Sequence, residues 1–379
     1  MATHKLRIAF FGDDFSRKGR GTALVIQRLA EELDRPERGV EITLLRPKGS
    51  CESALCDRVR SGIIPRRFST ALSYLWFFVT HREHYDVIVF NRVVYPGFFF
   101  LSARMRVLFA HDASVSEIYT APRTWVNHVF DYFLKFVGKF FLDAVFASSD
   151  DARTWIARYF AVPLHKVHTL YLAAGDGYKP LDDAARRTKA EHLSRSYNIR
   201  SPYILAVSRF DPHKNIEGIL DAFFILKKEH VIPHSLVLLG GPHTPGYSQR
   251  MMKKIEMSSF RSDVHIVTYV ETSDMPALYS CASLLLYPSL VEGFGLPLLE
   301  AFASGTPVVT SNISSLPEVA EGAAQLVDPQ DPRKIAEGIR AVLKDDNLRA
   351  RLVEKGSVRV RDFSWTKTAD MFMKVVSGA

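Results

Sequence analysis

Twelve short apolar runs, separated by helix-length stretches, constrain this 379-residue chain more than any other feature. In the first half they are residues 6–11, 41–45, 85–90, 106–110, 144–148 and 167–172. In the second half they are 203–207, 235–239, 264–267, 283–287, 307–310 and 324–327. Strand signals alternating with helix signals imply βαβ units and parallel sheets. The runs are near-continuous in Val, Ile and Leu, as strands covered on both faces require.

The length is large for one core and suits two domains. A polar stretch at 173–202 separates the halves, and its Gly175, Gly177 and Pro180 mark a hinge near 173–183. Hydrophobic residues at 47% and charged residues at 24% indicate an ordinary globular chain. The three cysteines, Cys51, Cys56 and Cys281, lack Cys-x-x-Cys spacing. That pattern argues against a disulfide framework or zinc site and for a reducing compartment. The N-terminus runs straight into a strand signal without a signal-peptide pattern, and no segment is apolar for long enough to span a bilayer. The expected location is cytoplasmic, with a peripheral association at the inner face of the membrane left open. The net charge of +8 favours anionic partners, nucleotide diphosphates or acidic lipid among them. No nucleic-acid-binding module is recognisable.

The run Glu292-Gly293-Phe294-Gly295-Leu296-Pro297-Leu298-Leu299-Glu300 lies at a strand-to-helix transition. Its glycines let backbone approach a ligand closely, and the helix that follows offers unpaired N–H groups to an anion. Glu292 falls in the turn and Glu300 about one turn inside the helix, so both can face one ligand. Ionised carboxylates are strong acceptors for sugar hydroxyls. An anion site beside two such acceptors reads as a nucleotide-sugar site, although the glycines alone would also serve a plain turn with two solvated acids. Upstream, Val207-Ser208-Arg209-Phe210-Asp211-Pro212-His213-Lys214-Asn215 places two cations between a strand and the next helix, with Lys214 expected to begin that helix. Such a pair can clamp a diphosphate, or can be two surface cations.

These segments carry a resemblance. Glu292 to Glu300 matches the E-x7-E motif of retaining GT-B glycosyltransferases of family 4. Tyr287-Pro288-Ser289-Leu290-Val291, Ala301-Phe302-Ala303-Ser304-Gly305-Thr306-Pro307-Val308-Val309 and Ile313-Ser314-Ser315-Leu316-Pro317-Glu318-Val319 are similar to the same family. The resemblance implies two doubly wound Rossmann-like α/β domains with an interdomain cleft. It places an acceptor-side domain at 1–175 and a nucleotide-sugar-binding domain at 176–361. It also implies a terminal segment, 362–379, whose helix at 365–376 crosses back onto the first domain after the entry Phe363-Ser364-Trp365.

Residue by residue, the resemblance makes Arg209 and Lys214 the neutralisers of the departing nucleoside diphosphate. Glu300 takes the ribose hydroxyls. Glu292 and the amides of Gly293, Phe294, Gly295 and Leu296 hold the transferred sugar and phosphate, with Glu292 assigned to sugar binding and charge stabilisation rather than covalent attack. Ser208 joins the donor site, and Val270 matches a base-contacting position. Thr268 departs from the pattern, standing where the family usually has glycine. In the first half, Gly19 and Gly21 flank Arg20 ahead of a helix, where the family usually has adjacent glycines; a phosphate loop and a plain turn both fit, and Arg20 can instead face the acceptor. His111, at a strand's carboxyl end, resembles the histidine set beside the donor sugar, to position it or to relay a proton. Asp112 can orient it or cap the next helix. No Asp-x-Asp sequence occurs, which agrees with cations in place of a metal and with no cofactor.

On the acceptor side the first half is rich in Arg58, Arg60, Arg66, Arg67, Tyr74, Trp76, Phe77 and Phe78. In 125–141, His128, Asp131, Lys135 and Lys139 share one helical face, with Val129, Phe133, Phe136, Val137 and Phe140 over much of the rest. A core helix with a solvated stripe and a helix lying on an anionic membrane both fit. The resemblance implies a retaining, metal-independent glycosyltransferase that moves a hexose, expected to be mannose from GDP-mannose, to a glycan or lipid-linked acceptor. A UDP-hexose transferase, a nucleotide-sugar epimerase and a non-catalytic sensor are the alternatives.

Overall fold

The computed structural model describes residues 5–11, 21–47, 55–64, 76–77, 79–91, 101–110, 132, 135–229 and 232–378. They form two compact units. One runs up to Leu172 and takes in Ser364–Ala379, and the other is built from Ala173–Phe363.

Among the described residues the first unit holds seven parallel strands: β1 (Leu6–Phe11), β2 (Val40–Pro47), β3 (Arg60–Ile64), β4 (His84–Phe90), β5 (Ser102–Ala110), β6 (Ala144–Ala147) and β7 (Val167–Thr169). Their order is β3-β2-β1-β4-β5-β6-β7. The central strands bury nearly every side chain, and residues such as Phe11, Ile88, Leu108 and Val145 share one core. β3 has no counterpart among the apolar runs. It is an edge strand, Arg60-Ser61-Gly62-Ile63-Ile64, with most of its side chains exposed. Polar residues suit an edge, where they discourage further pairing. The same residues hide the strand from a search for apolar runs.

The helix Trp365–Val376 belongs to this first unit. Ser364 caps it by accepting from the Lys367 amide. Its Phe372 ring lies 5.2 Å from Phe146 and 6.4 Å from Phe10. Thr366 Oγ1 donates to Glu32 Oε1 at 2.8 Å, and Arg38 pairs with Asp370 at 2.8 Å. Cys56 is disulfide-bonded. This corrects the expectation from cysteine spacing, which is blind to which side chains meet in space, and removes that support for a reducing compartment.

The second unit has six strands among its described residues: β8 (Tyr203–Val207), β9 (Ser235–Leu239), β10 (Val264–Val267), β11 (Leu284–Tyr287), β12 (Val308–Ser311) and β13 (Gln325–Val327). All neighbours are parallel, in the order β10-β9-β8-β11-β12-β13. The order reverses between β8 and β11. The carboxyl ends of those two strands mark the switch point, where doubly wound sheets bind ligands.

Asn215 ties together the loops that follow β8 and β11. It occupies the left-handed region at φ 57° and caps the helix Ile216–Lys228, its Oδ1 accepting from Gly218 N at 3.2 Å. Its Nδ2 donates to the carbonyls of Pro288, at 3.0 Å, and Pro329, at 2.7 Å. Lys214 therefore precedes this helix, in a short 3-10 turn (Pro212–Lys214), instead of beginning it. Asn215→Ala would strand two buried carbonyls and remove the cap. The expected loss is at least about 2 kcal/mol in urea unfolding, and an unchanged midpoint would contradict this bridging role.

Candidate functional site

The loops after β8 and β11 bring Lys214 and Glu292 into contact. Lys214 Nζ lies 2.7 Å from Glu292 Oε1 and 2.9 Å from Oε2, and donates to Tyr287 Oη at 3.1 Å. Glu292 is 3% exposed. Burial alone would raise its pKa, but the Lys214 charge and hydrogen bonds outweigh that and hold it below the ordinary carboxylate value, helped by Ser289. Burial also pushes the Tyr287 phenol upward, with Glu292 adding to it, so the ring stays protonated at neutral pH.

The Glu292 turn is fixed from behind. Ser314 Oγ accepts from Glu292 N at 3.0 Å and donates to its carbonyl at 2.8 Å. Ser315 Oγ lies 3.0 Å from the Glu292 carbonyl and 3.1 Å from that of Phe294. Gly295 then turns the chain into the helix Leu296–Ala303 at φ 101°, where a Cβ would come within 2.6 Å of Leu316 Cδ2. The Ser314-Ser315-Leu316 segment is thus the mould for this turn. Across the switch point, Leu290 N donates to the His213 carbonyl at 2.8 Å.

Glu300 has other partners. Tyr178 Oη donates to its Oε1 at 3.1 Å, and Tyr279 Oη donates to its Oε2. Burial raises the Glu300 pKa, with the two tyrosine hydrogen bonds pulling back. A carboxylate offers about four acceptor positions. The tyrosines take two, which leaves capacity for a pair of hydroxyls. Glu292 and Glu300 therefore sit in different environments, one paired with a cation and the other hydrogen-bonded by neutral donors.

Arg209, at the end of β8, has a half-exposed side chain that contacts His243 and Asp211. Ser208 and Val270 are buried, as are Gly293 and Phe294, while Leu296 is partly buried. Thr268 Cγ2 would lie 3.0 Å from a Cβ on Gly241, so its methyl packs on the turn after β9. Gly21 opens the helix Gly21–Leu33. Gly19 and His111 lie outside the described residues, as do Arg20 and Asp112.

Four contributors carried no role in the sequence reading: His213, Tyr178, Tyr279 and His243. His213 and Tyr279 lie inside or beside the motif segments, where their neighbours drew attention away. His243 follows Gly240-Gly241 at a strand's carboxyl end, a position that could have marked it. Farther off, residues 135–141 are helical. Phe136 and Phe140 are 54% and 62% exposed, whereas Val137 is buried. That corrects the core-helix alternative for the two phenylalanines: the buried side of this segment is Val137-Gly138, where a Cβ on Gly138 would collide with the Phe160 carbonyl.

Residues 190–359 match the family described as Glycosyl transferases group 1, a span containing Arg209, Lys214, Glu292 and Glu300. The chain is 34% identical over 220 residues to O-antigen chain mannosyltransferase B of Escherichia coli, covering 57% of this chain and 56% of that protein. It is 30% identical over 229 residues to the E. coli serotype-specific mannosyltransferase WbdA, covering 60% of this chain and 28% of WbdA. The matches thus span about half and about a quarter of these relatives. Among solved structures it is similar to Anabaena HepE in complex with UDP and glucose, with a TM-score of 0.77 at 18% identity, covering 99% of this chain and 100% of that one. The fold is GT-B.

His213 has a clear acid signature. Burial, reinforced by Lys214, depresses its pKa to about 4, whereas in an unfolded chain it would be near 6.5. Between those values the unfolded state binds the extra proton, so the His213 contribution is complete above pH ~6.5 and is lost as pH falls toward 4. His213→Gln should flatten the decline in unfolding free energy between pH 6.5 and 4. An unchanged slope would mean that the folded histidine titrates normally.

Proposed function

We propose that this protein, whose residues 190–359 match the glycosyl transferases group 1 family, transfers a hexose from a nucleotide sugar to a glycan or lipid-linked acceptor. The observation that carries this reading is the buried Lys214–Glu292 pair at the β8–β11 switch point. The donor is GDP-mannose, a choice supported by relatives whose names specify mannosyl transfer. A UDP-hexose is the second reading, supported by the UDP in the HepE complex.

In the proposed reaction the sugar–phosphate bond breaks and negative charge grows on the β-phosphate. Lys214 turns one donor from Glu292 to that charge while staying against the carboxylate, and Arg209 takes a second oxygen. Arg209 and Lys214 are both held at the switch point by neighbouring acids, so little reorganisation accompanies the growth of charge. The Glu292 oxygen that Lys214 vacates accepts a hydroxyl of the sugar, and Glu300 accepts those of the ribose. The backbone N–H groups at Gly293 to Leu296 face the same anion. His111 positions the sugar or relays its proton, and Gly19 and Gly21 flank a phosphate loop. Two fixed cations supply the charge that a metal would bring, which supports a metal-free reaction. Retention of anomeric configuration is part of the proposal, with the acceptor hydroxyl attacking the face the diphosphate leaves and its proton passing to the departing phosphate oxygen. The site's pairing of catalytic cations with binding acids favours a transferase over a sensor, and product analysis with and without acceptor separates it from an epimerase.

We also propose that the protein works in the cytoplasm, where nucleoside triphosphates for making nucleotide sugars are found, at an anionic membrane surface. Exposed Phe136 and Phe140, with exposed Lys135 and Lys139 beside them, support that contact. No helix among the described residues is long and apolar enough to cross a membrane. Sedimentation with phosphatidylglycerol vesicles at low salt should capture the protein, and Phe136→Ser/Phe140→Ser should release it. Absence of binding by the parent protein would end the membrane reading.

With GDP-mannose and EDTA present, turnover should persist and the product should keep the donor's anomeric configuration by NMR. Lys214→Ala should lower kcat roughly a hundredfold or more, while Glu300→Gln should act mainly on donor KM. Wild-type kinetics in both variants, with GDP- and UDP-sugars alike, would refute the site.

A further inference from the structure

Arg209 belongs to a closed three-residue ring. Its Nη1 lies 3.0 Å from His243 Nε2 and its Nη2 lies 3.5 Å from Asp211 Oδ2, while His243 Nδ1 lies 2.7 Å from Asp211 Oδ1. A guanidinium is a donor only. His243 Nε2 must therefore accept, which places the ring proton on Nδ1, donated to Asp211. The arrangement requires a neutral imidazole of a single tautomer.

The ring is anchored from below. Thr244 Oγ1 donates to Asp211 Oδ1 at 2.5 Å, and the His243 amide donates to Ser248 Oγ at 2.9 Å. Phe210 N donates to the Gly241 carbonyl at 2.9 Å, which locks the β8 loop to the β9 turn. Gly240 permits that contact, since a Cβ there would come within 2.8 Å of the Ser208 backbone. The Asp211 side chain is 7% exposed, against 49% for Arg209. Buried acid, half-exposed histidine and outward guanidinium form a graded support with its charged end toward solvent.

We propose that His243, backed by Asp211, is a positioning residue that holds the Arg209 guanidinium ready for the diphosphate of the donor. The inference rests on the reading of Arg209 as a diphosphate ligand. One of the five guanidinium N–H groups is spent on His243, with Asp211 holding the fork by charge, and four remain for phosphate oxygens. A free arginine would surrender its rotamer freedom on binding an anion; one already held surrenders less.

Calorimetry on the full chain tests this with GDP and GMP, and with UDP and UMP. Arg209→Ala should weaken diphosphate binding roughly tenfold and leave the monophosphate nearly unchanged, because one charge-assisted contact is lost. His243→Ala should weaken the diphosphate several-fold, again sparing the monophosphate, and His243→Gln, which keeps an acceptor for Arg209, should recover part of the loss. In the Arg209→Ala background, His243→Ala should add nothing. Additive losses, or equal loss of mono- and diphosphate in both His243 variants, would overturn the positioning role alone. Unchanged diphosphate binding in Arg209→Ala, or no nucleotide binding by the parent protein, would remove the diphosphate reading of Arg209 and this inference with it.

Discussion

A carboxylate as deeply buried as Glu292 persists in charged form only with a cation against it, and Lys214 is that cation. Removing either partner would leave an uncompensated charge, at a cost on the order of 3–5 kcal/mol. Much of the surrounding structure serves to keep the two loops in register. Asn215 bonds across from the β8 loop to the β11 loop, the Leu290 amide bonds back to His213, and Ser314 and Ser315 hold the Glu292 backbone. Packing, capping and hydrogen bonding all converge on one ion pair.

That pair also defines a chemical opportunity. Lys214 holds both carboxylate oxygens, so an arriving diphosphate competes with Glu292 for the same ammonium. In the proposed reaction the exchange frees one Glu292 oxygen for a sugar hydroxyl as Lys214 turns a donor to phosphate. Glu300 works on a different principle. Its tyrosine partners are neutral donors, burial raises its pKa, and it has acceptor capacity to spare. Two acids in one motif thus acquire separate tasks from their surroundings.

Much of the fold was legible because a parallel sheet buried on both faces writes itself as apolar runs. Every run found in the second half became a strand, with Tyr203–Val207, Ser235–Leu239 and Val264–Val267 matching to the residue. β3 was hidden because its edge position favours polar residues, which periodicity cannot separate from loop. The site was legible as segments but only partly as contacts. Glycines and acids at a strand-to-helix turn announce a ligand site, and Lys214 was named, yet nothing in residue spacing says that it meets Glu292 instead of lining up beside it. Tyr178 lies 122 residues before Glu300, and such a long-range partner leaves no local signature. Asn215 looked like part of a motif, while its bonds to Pro288 and Pro329 depend on the folded crossing of two loops.

The most direct test of the central claim is a crystal structure of the protein with GDP-mannose, or with the UDP-sugar if that binds better, reading the distance from Lys214 Nζ to the β-phosphate. The account predicts an oxygen at about 2.8 Å, Lys214 separated from one Glu292 oxygen, and a sugar hydroxyl on the oxygen it vacates. A bound nucleotide with its diphosphate distant from Lys214, and both Lys214–Glu292 bonds intact, would contradict it.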